Sequence, residues 1–84
     1  MAEVIVAEMR GIITAVDDWC NQSFVLLDEE RDGLNIAAIE AGTEGRAALA
    51  NKSSDGSLHI GTRVVIPKFR KGLHAFVALE VKAA

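Results

Sequence analysis

The stretch Val4-Ile5-Val6-Ala7-Glu8-Met9-Arg10-Gly11-Ile12-Ile13-Thr14-Ala15-Val16 decides the architecture. Two runs of mostly β-branched residues lie on either side of one glycine. Such side chains suit a pleated sheet and lose rotamer freedom in a helix. A glycine between them permits a bulge or a sharp coil of the backbone. The pattern predicts one long strand over residues 4–16, bent at Gly11.

Downstream, residues 17–23 are polar around Trp19 and read as a turn. A second strand is predicted over residues 23–27. The acidic run Asp28-Glu29-Glu30-Arg31-Asp32-Gly33 reads as a hairpin connection, with Asp32-Gly33 supplying the positive φ. A third strand over residues 34–39 closes that hairpin. Residues 44–52 are the stretch rich in Ala, Leu, Glu and Lys, which predicts a short helix capped by Thr43, with Glu44 in its first turn and Gly45 weakening it. Residues 53–57 read as a loop. A fourth strand is expected over residues 62–67, with Pro67 at an end or edge because proline has no N–H to donate. The fifth, residues 73–81, alternates Leu73, Ala75, Val77, Leu79 and Val81 on one face with His74, Phe76, Ala78, Glu80 and Lys82 on the other, His74 facing outward.

The chain has 84 residues and 9.0 kDa, enough for one domain over residues 1–84. Half the residues are apolar and a quarter charged, the composition of a folded domain. So small a chain has a thin core, and oligomerisation would help it. No charge-free run approaches the roughly 20 residues of a membrane span. Met1-Ala2-Glu3 has neither the basic start nor the apolar core of a secretory signal. One cysteine, Cys20, allows no internal disulfide and no cysteine-based zinc site, so a reducing, cytoplasmic setting is expected.

Five short strands this rich in apolar residues favour closure into a barrel, which removes the sheet edges. With the helix between the third and fourth strands and the long first strand kinked at Gly11, the chain resembles the OB-fold superfamily. The resemblance covers residues 4–81 and rests on element order and Gly11, without a residue motif. It implies an all-β, five-stranded OB-like closed barrel with one short helix, and a face that commonly binds oligonucleotides between the turn joining the first two strands and the turn joining the last two.

The charge map sharpens that implication. Residues 1–42 hold nine acids against two bases, and residues 43–84 three acids against seven bases, for a net charge of −3 overall. A basic footprint over the whole molecule is absent, but Pro67-Lys68-Phe69-Arg70-Lys71-Gly72-Leu73-His74 is a local one. The expectation is a non-catalytic module that binds single-stranded DNA or RNA. Lys68, Arg70 and Lys71 would hold phosphates, Arg63 would extend the track, and Phe69 and Trp19 would stack on bases. Asp17 and Asp18 beside Trp19 oppose it. The alternative is a protein-interaction or homo-oligomeric assembly module using the acidic hairpin at 28–32, the basic hairpin at 68–71 and the last strand. A solvated hairpin tip and a tryptophan folded over the barrel mouth are the bland readings of the same residues.

No phosphate loop is present, since neither Gly42-Thr43-Glu44-Gly45 nor Gly56-Ser57-Leu58-His59-Ile60-Gly61 has the glycine and lysine spacing. Cys20, His59 and His74 follow no metal-ligand pattern, and no metal or cofactor is expected. Asp17-Asp18 and Glu29-Glu30 are adjacent carboxylates of the kind that face water in turns. A small barrel fills its interior with side chains, leaving no desolvated pocket for acid–base work, so no enzyme is expected.

Overall fold

The computed structural model describes residues 8–17, 19, 21–50 and 58–84. Strands β1 (Met9–Asp17), β2 (Gln22–Arg31) and β3 (Leu34–Ile39), helix α1 (Arg46–Ala50), and strands β4 (Arg63–Lys71) and β5 (Phe76–Ala83) follow in that order. The strands form a closed barrel in the sequence β1-β2-β3-β5-β4. Closure occurs at β1, which pairs antiparallel with both β2 and β4; Gly11 faces Leu27 on one side and Val64 on the other. The parallel β3–β5 pairing, Ala37 with Phe76 and Ala38 with Val77, completes the circuit. The expected part of the first strand at residues 4–7, Asp18, Cys20, the helix end at 51–52 and the loop at 53–57 lie outside the described residues.

The interior is filled by Ile13, Val25, Ile39, Val64, Ile66, Phe76 and Val81, all essentially inaccessible to water. Leu49 and Ala50 of α1 belong to the same cluster, so this five-residue helix, far too short to persist alone, is held by packing.

Several sequence expectations are refined. Gly11 matters for close approach rather than as a bulge, because a Cβ there would lie 2.4 Å from the Leu26 carbonyl oxygen. The β1 register shift falls between Ile13 and Ala15 instead. The acidic run is mostly strand: β2 continues to Arg31, and only Asp32 (φ 53) and Gly33 (φ 79) turn the chain. Thr43 does not cap α1; its hydroxyl points at the Ala78 carbonyl oxygen, 3.4 Å away.

Lys68 to Lys71 also lie within a strand, since β4 runs on to Lys71. The register shifts between Val65 and Lys68, the interval that contains Pro67. The faces of β5 are reversed. Phe76 and Ala78 point inward while Leu79 is 47% exposed, and Leu73, 86% exposed, lies in the turn before the strand, which begins at Phe76 rather than at residue 73. Opposite Phe69 and Lys68 stand Ala78 and Glu80, so Leu79 is the extra residue of a bulge that returns Val81 to the core. Strict alternation fails there because the bulge changes phase by one residue.

Candidate functional site

The residues expected to grip an oligonucleotide do not share a groove. Trp19 sits in the β1–β2 turn, 96% exposed, with its backbone N–H donating to Asp17 Oδ1 at 3.0 Å. The β1–β4 ladder runs from Met9 against Ile66 to Ile12 against Arg63. β4 therefore begins toward the end of β1 that leads to Trp19 and runs away from it. Lys71 and the turn beyond are carried past the start of β1, to the opposite end of the barrel. The cationic segment and the indole cannot hold one short strand of nucleic acid between them.

Some of the individual side chains are engaged elsewhere as well. Phe69 packs against the core and meets Phe76 edge to face, with centroids 5.4 Å apart and planes at 81°. Arg31 covers the Phe69 ring at 5.4 Å from its centroid. No open stacking platform is left there. Arg63 pairs with Asp28 at 2.5 Å, and Lys68 stands 4.0 Å from Glu80. Arg70 and Lys71 remain as exposed charges on β4.

The expected protein-interaction surface finds no support in a free strand edge. Both edges of β5 are occupied, by β3 and β4, so the last strand offers no free edge for a partner. The acidic and basic hairpins approach each other within one molecule through Arg31 and the Phe69 ring.

The chain instead forms an open groove at the other end of the barrel, of about 550 Å³, lined by Gln22, Glu40, Ala41, Gly42, Thr43, Ala78 and Leu79. Its walls are built locally. The Thr43 N–H donates to the Glu40 carbonyl at 3.1 Å, turning the chain sharply out of β3. The Val81 N–H donates to the Glu44 carbonyl at 2.8 Å, which ties this loop to β5. Gly45 (φ 87) passes so close to β5 that any side chain would collide with the Val81 carbonyl oxygen. On α1, Arg46 is 8% exposed and donates from a terminal guanidinium nitrogen to Asn21 Oδ1 at 2.8 Å. That bond fastens the turn carrying Trp19 to α1. Arg46 Nε and Ser23 Oγ are buried without a protein partner.

Reading residues alone missed this groove. Nothing local in Gln22, Glu40 or Ala78 announces that β2, β5 and the loop after β3 converge. A second recess of about 330 Å³ is lined by Glu8, Met9, Arg10, Asp28, Glu29 and Arg31. Its charges are mixed and partly paired among themselves, as in Arg10 with Glu8 at 3.0 Å.

The architecture defines a small closed barrel of five strands and one helix. No family model and no curated protein matches the chain. Among solved structures it is similar to the crystal structure of Ag(I)CusF, with 12% identity over 92% of this chain and 95% of that one, and a TM-score of 0.56. The protein with this shared fold is described with silver rather than with a nucleic acid or a protein partner. Together with the separated side chains, this overturns the oligonucleotide expectation and leaves the protein-assembly expectation without support.

Among the described residues, the donors fit a silver-like ion poorly. Soft monovalent ions favour thiolate, thioether and imidazole donors. Met9 is 4% exposed and packed into the core. His59 precedes β4 and His74 follows it, so the nine residues of that strand, about 30 Å when extended, lie between them. Among the described residues no three His, Cys, Asp or Glu side chains come together.

Proposed function

We propose that this chain is a non-catalytic binding barrel of OB-like arrangement whose ligand is a small polar molecule held in the groove between the β3–α1 loop and β5. The observation that carries the reading is the convergence of Gln22, Glu40 and Thr43 beside the apolar Ala41, Ala78 and Leu79. Small-molecule sites are concave, mostly apolar and furnished with a few placed polar groups, in the size range of this groove. The Thr43 hydroxyl is turned to the Ala78 carbonyl oxygen rather than to a base, which supports binding without turnover. The test is a two-dimensional amide NMR titration against a library of small polar compounds. Saturable shifts confined to residues 22, 40–43, 78 and 79 support the groove; shifts elsewhere, or none, overturn it.

A second reading, a metal-ion-binding barrel, is favoured by the likeness to Ag(I)CusF. A lone thiol captures silver without any built site, so the experiment is silver titration by calorimetry on a Cys20→Ser variant. Stoichiometric binding that survives the substitution supports the ion reading, and its loss reduces it to a thiol reaction.

A further inference from the structure

Resting on the reading that this groove holds a small polar ligand, we propose that the ligand is an organic cation carrying a primary ammonium group. The groove presents hydrogen-bond acceptors. Glu40, exposed where β3 ends, has a carboxylate that accepts and does not donate when ionised. The Thr43 hydroxyl directs its proton to the Ala78 carbonyl oxygen at 3.4 Å, which leaves its lone pairs to a ligand. The Gln22 amide can turn its oxygen to the same space. An ammonium group brings three donors and no acceptor, the complement of that set.

The electrostatics select the same class. Glu40 is the charged side chain in the lining, so an anion would meet a carboxylate and no cation. The guanidinium of Arg46 is turned to Asn21 and buried, and Arg46 does not line the groove. A neutral polyol needs donors from the wall as well as acceptors, and of the three polar side chains the Gln22 amide is the one with N–H groups to spare. Ala41, Ala78 and Leu79 supply apolar surface for the methylene carbons that carry an amine.

The test is an amide NMR titration with 1,4-diaminobutane, using 1,4-butanediol as a neutral molecule of the same length. The expected result is saturable shifts at Gln22, Glu40, Gly42 and Thr43 with the diamine and none with the diol. In the Glu40→Gln variant, whose spectrum also reports its fold, the diamine should bind about tenfold more weakly, the scale of one charge-assisted hydrogen bond. Equal affinity for the diol, or unchanged diamine affinity in Glu40→Gln, would keep the groove as a site and overturn the ammonium assignment. Non-saturating shifts spread over exposed carboxylates such as Glu29 and Glu30 would mean general cation attraction and overturn it too. Silence at these residues toward the diamine and the whole compound library would overturn both readings.

Discussion

The guanidinium of Arg31, at the end of β2, lies 5.4 Å from the centroid of the Phe69 ring on β4. The two hairpins of opposite charge therefore meet within one molecule, through a cation on an aromatic face. Phe69 is wedged between that cation and Phe76, which explains why a phenylalanine in a run of lysine and arginine serves the core.

Replacing Phe69 by Ala should destabilise the barrel by about 2–4 kcal/mol, toward the lower side of the values for large aromatic deletions because the ring is only partly buried. Arg31→Ala should cost about 1 kcal/mol or less, the range of a partly solvated cation–π contact. Urea unfolding of the two variants measures both, and equal effects would contradict the wedge.

The glycines of the fold divide by what surrounds them. Gly45→Ala combines a positive φ with a collision at the Val81 carbonyl, and Gly11→Ala places a methyl against the Leu26 carbonyl. Both should lose several kcal/mol or fail to fold. Gly33 has φ +79 with open space around it, so Gly33→Ala should lose only about 1–2 kcal/mol, the cost of left-handed backbone. Thermal unfolding that ranks Gly33→Ala with the other two would refute the close approaches.

Arg46 and Asn21 should behave as a coupled pair. Asn21 has φ 52, which glycine also tolerates, so Asn21→Gly removes the acceptor without straining the turn. It should cost about 1–3 kcal/mol, because a buried guanidinium loses its acceptor. In an Arg46→Met background, which retains an apolar stem and removes the charge, the same change should be nearly silent. A double-mutant cycle without coupling would show that this bond does not hold the turn.

The buried face of β5 and the turn before it give a direct contrast. Phe76→Ala should lose about 3–5 kcal/mol, whereas Leu73→Ala, at a residue 86% exposed, should stay within about 0.5 kcal/mol. Chemical denaturation decides it, and comparable losses would restore the alternation expected from the sequence.

Much of the fold is legible along the chain because it depends on local chemistry. β-branched runs mark the strands, Asp32-Gly33 marks the hairpin, and the Ala- and Leu-rich stretch around Leu49 marks the helix. The order of those pieces, with their apolar content, is enough to anticipate a closed barrel. The phase of β5 was not legible, since a bulge at Leu79 is set by how β5 fits β4 across the ladder. Nor was the site. Lys68 to Lys71 look like a free cationic tip in one dimension, but only pairing partners reveal that β4 carries them away from Trp19 and into contact with Glu80 and Arg31. The groove of Gln22, Glu40 and Leu79 joins three segments distant in sequence, and closure of the barrel alone brings them together. Periodicity and turn chemistry act over a few residues, whereas register and closure are decided by contacts between strands. This sequence by itself therefore determines the elements and the barrel, and its tertiary structure decides which side chains remain available to a ligand.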